Sequence, residues 1–316
     1  MIDYIYGHDE FDHSTHLLRE HLRSKSPQMY WRQPTAFGPM PGPRQDFAGN
    51  SHASTLSKST FTTASIKFKT SRTLLQNLLP NASYRFAKAD TVAYATFSQT
   101  TLDKMRWLGG GGYNHIGLYI HGVEYVKANG GIIQGTYLPI LFENLADSIL
   151  SGREELGMPK LYSSIDVDRR ESSYHISCSW RGAVWGRFSL HDLADQDDDG
   201  QEKAGVDAQN CGNEDSGILT HRYIPSVGRD QKGKADADYA VFVPKAEEVA
   251  VVAPKATSTK RSAKASIKVD GLDWDALPTL HHVTSRLAEI PVYDIVEAKV
   301  IEGQGVSDVS PARRIE

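Results

Sequence analysis

The sequence predicts a mainly β protein of the α+β class, a large antiparallel barrel or cone with a few packed helices. Strand-like segments outnumber helical ones. Several alternate apolar and other residues with period two, as in Ile116, Leu118 and Ile120, or Tyr174, Ile176, Cys178 and Trp180, which marks sheets with one buried face. Strands and helices never alternate regularly, which argues against βαβ units and a parallel sheet. With 316 residues, 40% of them hydrophobic, the chain is long enough for a sizeable core.

Taken in order, residues 1–55 read as an N-terminal leader packing on the barrel, and residues 56–316 as the main domain. In the leader, Asp12 caps a short helix carrying Leu17, Leu18 and Leu22, and three prolines in residues 37–44 exclude regular helix. Strands are expected at 61–70 and 91–97, where aromatic and β-branched residues gather. Between them Ser71 is placed to cap a Leu-rich helix that stops at Pro80. Further strands are expected at 131–142, 161–167, 218–224, 239–243 and 292–301. A late helix is marked by Asp275 as cap, Pro278 in its first turn, and Leu280, Val283 and Leu287 on one face. Residues 195–217, 228–238 and 245–271 are polar or charged and read as loop insertions.

Composition narrows the function. A formal net charge of -4 gives no electrostatic footprint for nucleic acid. No apolar run approaches a membrane span, and the acidic N-terminus lacks a signal peptide's basic start. Two cysteines, Cys178 and Cys211, make no disulfide framework, so a cytoplasmic setting is expected.

Several motifs lack the residues their chemistry needs. Gly109 to Gly112 is followed by no Gly-Lys-Ser/Thr and reads as a turn between strands. The acidic run from Asp195 to Gly200 opens like a calcium loop but places Val206 where a bidentate glutamate is required. His8, His13, His16 and His21 have no helical ligand spacing, and His281 and His282, adjacent on a helix, point in different directions. No metal is expected.

The stretch Gly152-Arg-Glu-Glu-Leu-Gly-Met-Pro-Lys160 differs in kind. It follows an apolar helical segment with Leu145, Ile149 and Leu150, and it runs into a strand. Gly157 and Pro159 bend the backbone just before the lysine, and Met158 and Leu161 offer apolar surroundings. A desolvated amine loses its proton more readily and attacks carbonyls.

With this motif the sequence resembles the acetoacetate decarboxylase superfamily, whose Gly-Arg-Glu, turn and Pro-Lys segment carries the Schiff-base lysine. Residues 68–80 resemble its strand and Leu-rich helix, and Gly111-Gly-Tyr113 its glycine-rich turn; the similarity extends over most of residues 60–300, insertions excepted. The resemblance implies Lys160 as catalytic residue. It implies a pocket with Tyr113, His115, Arg44, Met158 and Leu161, and supporting roles for Arg153, Glu154 and Glu155. Three features depart from the family. Leu161 stands where a second lysine often follows, His115 falls where an active-site carboxylate is expected, and Phe61 lies where a substrate-anchoring arginine precedes the strand, leaving Arg44 as the nearest upstream arginine. The implied partner is a small-molecule ketone or keto acid, with no organic cofactor, no nucleic acid, no membrane, and homo-oligomers common in the family. The expected activity is a Schiff-base lyase, decarboxylation first, with retro-aldol cleavage, dehydration or cyclisation as the alternative. A pocket that binds a ligand without a covalent step is a second class.

Overall fold

The computed structural model describes residues 29–50, 58–195, 216–245 and 254–316. The chain divides into two compact units, Met1–His52 and Ala53–Glu316. Within the first, a short 3₁₀ turn at Thr35–Phe37 precedes a loop held by Gln45, whose amide donates to the carbonyls of Tyr30 and Met40 at 2.8 Å each. The leader helix expected after Asp12 lies outside the described residues.

Among the described residues, the second unit is built on one sheet of fourteen strands. Its first half comprises β1 (Thr60–Ser71), β2 (Tyr84–Phe86), β3 (Val92–Asp103), β4 (Tyr113–Val126), β5 (Ile132–Glu143), β6 (Lys160–Tyr162) and β7 (Ser164–Arg170). The second half comprises β8 (Ser173–Trp180), β9 (Ala183–Asp195), β10 (Gly217–Pro225), β11 (Ala235–Pro244), β12 (Lys255–Val269), β13 (Asp294–Gln304) and β14 (Arg313–Ile315). The helices are α1 (Arg72–Gln76), α2 (Ala146–Glu155) and α3 (His281–Ala288). Along the sheet the order is β14-β11-β10-β5-β4-β3-β1-β13-β12-β9-β8-β7, with β2 on β4 and β6 on β5.

The mainly β class and the few helices agree with the sequence, but the sheet is mixed and open rather than an antiparallel closed barrel. Among the described residues no ladder joins β7 to β14. Both β10 and β6 run parallel to β5. The second of these arises because α2 carries the chain back to the start of a strand, a local βαβ crossover that the coarse count of elements hid. The sheet nevertheless curls until remote strands touch. Asn114 on β4 donates to the Ile165 carbonyl on β7 at 3.0 Å, and the Tyr174 hydroxyl on β8 donates to Gln99 on β3 at 2.8 Å. Phe97 packs on Phe188 and Phe142 on Trp185 across the enclosed face. That face holds the main core, including Ile66, Phe68, Leu118, Ile176 and Leu190. Burial of this apolar surface is the principal stabilising term of the fold.

Local signals explain most elements. Ser71 caps α1, accepting from Leu74 N at 3.4 Å, as its position predicts. The late helix begins a turn later than predicted. Leu280 is its N-cap without a side-chain bond, and Asp273 rather than Asp275 caps the preceding turn by accepting from Ala276 N at 2.9 Å. Residues 245–271 are not a loop insertion, because Lys255–Val269 forms β12, paired to both β9 and β13. Its Lys, Ser, Thr and Ala side chains are half-exposed, so the backbone ladders and not a hydrophobic pattern make it a strand. In residues 228–238 a 3₁₀ turn at Arg229–Gln231 leads into β11, which starts at Ala235. Residues 196–215 of the first insertion lie outside the described residues.

Candidate active site

On the side of β1, β3, β4 and β5 opposite the main core lie two smaller apolar clusters. One gathers Tyr119, Leu138, Leu141, Leu156, Met158 and Val243, the other Phe61, Leu102, Met105 and Ile301. A cavity of about 150 Å³ opens between them. That matches the size of an engineered apolar cavity known to take up benzene, so the space suits a small organic molecule. Its polar lining is short: Lys160, Glu143, His115, Tyr113, Thr100 and Ser307.

Lys160 reaches this cavity because of how its motif folds. Helix α2 ends at Glu155, and Gly157 turns the chain with φ +67°, a conformation that favours glycine. Thr220 donates to the Gly157 carbonyl at 3.2 Å and fixes the turn to β10. Pro159 follows, and Lys160 opens β6, lying opposite Leu141 of β5. The lysine side chain then runs back along α2 at Gly152. A Cβ there would lie 2.6 Å from Nζ, so the glycine of the motif provides the channel for the amine. Arg153 donates to the Lys160 carbonyl at 2.9 Å and so pins the strand. Glu154 is exposed, and its backbone carbonyl accepts from Arg222 at 2.7 Å. Glu155 is half-buried at the helix end and does not line the cavity.

The amine itself is 2.8 Å from Glu143 Oε1 and donates to the Ser148 carbonyl at 3.0 Å. Lys160 is 8% exposed and Glu143 1%, so the pair is shielded from water. Oε2 of Glu143 is buried and has no hydrogen-bond partner among the described residues, and neither has Nδ1 of His115. Two influences on the amine therefore oppose each other: burial favours the neutral form and the carboxylate favours the ammonium. For His115 burial and the neighbouring Lys160 act together and hold the ring down to about 3, so it is neutral at physiological pH.

Of the residues singled out in the sequence, the structure brings Lys160, Tyr113, His115 and Met158 to one cavity. It removes Leu161 from that group. Side chains alternate along a strand, and Leu161 packs against the main core on the opposite face from Lys160. Arg44 belongs to the first unit, where its guanidinium lies over the Tyr30 ring, 5.8 Å from the centroid. Glu143 was missed. The expected strand stopped one residue short of it, yet a lone acid ending the apolar run Tyr137-Leu-Pro-Ile-Leu-Phe142, in step with Leu141, was the available signal. A carboxylate thus does stand at the amine, on β5, opposite His115 in the β4–β5 ladder. The glycine turn before β4 is a turn, as read: Met105 N donates to the Gly111 carbonyl at 2.9 Å, and Gly109 and Gly110 have φ of +63° and +92°. Cys178 is buried in the core, where burial pushes its thiol up, out of the range of a nucleophile.

A family model described as acetoacetate decarboxylase (ADC) matches residues 39–304. The chain belongs to the acetoacetate decarboxylase family. Solved structures share the fold at low identity. An acetoacetate decarboxylase from Legionella pneumophila is 14% identical with a TM-score of 0.51, over 79% of this chain and 88% of that one. An acetoacetate decarboxylase-like enzyme from Sphingomonas wittichii RW1 is 15% identical with a TM-score of 0.51, over 82% and 93%. The enduracididine biosynthesis enzyme MppR, solved with pyruvate, is 11% identical with a TM-score of 0.50, over 82% and 89%. No curated protein matches the chain. Membership makes the chain an acetoacetate decarboxylase-like enzyme. Among the described residues no helix is long and apolar enough to cross a membrane.

Proposed function

We propose that the chain is a lyase that forms a Schiff base between Lys160 and the carbonyl of a small ketone or β-keto acid. The observation that carries this reading is the placement of the Lys160 amine in a small, largely apolar cavity, in the position the family motif assigns to the Schiff-base lysine. Attack of the neutral amine on the carbonyl, uptake of a proton and loss of water give an iminium, which accepts the electron pair of a breaking bond at the neighbouring carbon. Loss of carbon dioxide from a β-keto acid is the simplest such step. Tyr113, His115 and Met158 shape the pocket, with His115 as a neutral ring that offers hydrogen bonds without charge. Arg153 and the turn at Gly157 hold the lysine in place. This chemistry requires no metal or organic cofactor.

A second reading concerns the bond that breaks. Among the described residues lining the cavity, Lys160 is the cation and Glu143 the carboxylate, and the rest is neutral and mostly apolar. A substrate carboxylate would be repelled by the Glu143 carboxylate, whereas an uncharged ketone would not. That favours retro-aldol cleavage or dehydration of a ketone through the same enamine. MppR, solved with pyruvate, offers a keto acid to try alongside neutral ketones.

Borohydride reduction in the presence of β-keto acids and neutral ketones tests the first reading. The peptide containing Lys160 should gain the mass of the reduced ligand, and Lys160→Ala should gain none. Labelling that persists in Lys160→Ala, or none with any compound turned over, overturns it. Analysis of the released product, carbon dioxide or an aldehyde or water, separates the two bond-breaking readings.

A further inference from the structure

We infer that Glu143 is the proton carrier of this site: it takes the proton that keeps Lys160 an ammonium and exchanges protons with the carbon next to the imine. The inference rests on the Schiff-base reading. Nothing in the family motif points to Glu143, because it lies on β5, seventeen positions before the lysine in sequence (160 − 143).

The chemistry first poses a problem. A lysine in water has a pKa of about 10.4, so its neutral, nucleophilic form is scarce near pH 7. A neighbouring ammonium would help, but Leu161 faces the core and supplies none. Glu143 stabilises the ammonium as an ion pair, which on its own would suppress attack. The same contact removes the difficulty. At 2.8 Å, Oε1 is within the range over which a proton passes directly between heavy atoms. Transfer from ammonium to carboxylate converts two buried charges into two neutral groups, which a low-dielectric cavity favours. The Ser148 carbonyl, 3.0 Å from Nζ, accepts a second N–H and holds the amine in place beside Glu143.

The proton count closes. The amine adds to the carbonyl carbon and the Glu143 carboxyl returns its proton to the carbonyl oxygen, giving a carbinolamine with a protonated nitrogen. Glu143 takes one proton from that nitrogen and passes it to the hydroxyl, which leaves as water. The product is an iminium bearing one N–H, with Glu143 again a carboxylate. That carboxylate now lies beside a carbon two bonds from nitrogen. It removes a proton there to give the neutral enamine and returns it in the reverse step. When carbon dioxide leaves instead, the proton that replaces it is drawn from solvent through the same carboxyl.

Three further observations fit a carrier and not merely a counter-ion. Oε2 is buried without a partner among the described residues, so one oxygen is available to a substrate atom while the other holds the amine. The Glu143 backbone is fixed, since its carbonyl accepts from Ser163 N at 3.0 Å within the β5–β6 junction. Its neighbour across the ladder, His115, stays neutral down to about pH 3 and is a poor base.

The test follows α-proton exchange of acetone and larger methyl ketones in D₂O by NMR, alongside borohydride trapping at Lys160. Wild type should trap and exchange. Glu143→Gln should form the trapped imine more slowly, though still to completion at saturating ketone and long times, and lose exchange by about 100-fold or more, the usual worth of a positioned acid–base group. Glu143→Asp, an acid one methylene short, should retain clearly more exchange than Glu143→Gln. If the glutamine variant does not fold, the same comparison is read between Glu143→Asp and Glu143→Asn. Trapping with undiminished exchange in Glu143→Gln overturns this inference alone, and so do equal losses in the acid and amide variants. Wild type that neither traps nor exchanges overturns the Schiff-base reading and this one with it.

Discussion

Lys160 and Leu161 are neighbours in sequence and sit in two different chemical worlds. The lysine faces a cavity lined by buried Glu143 and half-buried His115, while the partly buried leucine packs against a core of Phe, Trp, Ile and Leu side chains. The contrast extends along the parent strands. On β5, Leu141 and Glu143 look into the cavity while Ile140 and Phe142 enter the core. One sheet thus separates a face selected for stability from a face that tolerates buried titratable groups. Such groups raise the energy of the folded state unless each finds a partner, so they make this face the candidate for chemistry.

The largest effect should come from closing the lysine's channel. Gly152→Ala places a methyl 2.6 Å from Nζ, so the amine must leave its position beside Glu143. Borohydride trapping and turnover should both fall by about 100-fold or more, the scale on which small misplacements act. Turnover within a fewfold of wild type would mean that Lys160 works from another rotamer. On the core face, Leu161→Glu should leave trapping of any folded fraction intact and lower unfolding stability by about 1–2 kcal/mol, by setting a charge against the half-buried apolar packing of that face. Lost trapping at full stability would place Leu161 at the cavity after all.

Acid sensitivity should also belong to the cavity side of β4. By alternation His115 and His121 share that side, and His121 is held between Thr96 and Thr136 at 2.7 and 3.2 Å. Burial keeps both rings neutral to about pH 3 when folded, whereas the unfolded chain protonates them near pH 6.5. The unfolded state therefore binds more protons across this window. Stability is fully present above about pH 6.5 and declines as pH falls, by about 1.4 kcal/mol per pH unit for each histidine. Denaturant titrations of His121→Gln should show a shallower acid slope than wild type, and an unchanged slope would refute the assignment. Leu161→Met is expected to change stability by under about 1 kcal/mol and turnover not at all, as conservative core exchanges do.

How far the sequence made this legible depended on whether a signal was local. Ser71, Gly157 and the period-two strands act within a few residues, and each is found where its pattern placed it. The bend before Lys160 was legible for the same reason, but the role expected of the lysine came from the family resemblance. Glu143 was not, because its meaning comes from a parallel pairing between β5 and β6, and nothing near residue 143 announces that partner. β12 was hidden differently. A strand paired on both edges but half-exposed on its faces needs no hydrophobic pattern, so its lysines and serines resembled a loop. Leu161 was misassigned by treating sequence adjacency as spatial adjacency, which a strand's pleat forbids.

The three-residue strand β6 has a consequence for how such an enzyme could diversify. Leu141 N donates to the Pro159 carbonyl at 3.1 Å and Ser163 N to the Glu143 carbonyl at 3.0 Å, so the two backbones bracket the Lys160–Glu143 pair above and below. The two groups proposed to react are registered by this splice and not by distant loops. Changes in distant loops or in the far wall of the cavity could therefore alter which molecules enter while leaving the spacing between the Glu143 carboxylate and the Lys160 amine intact.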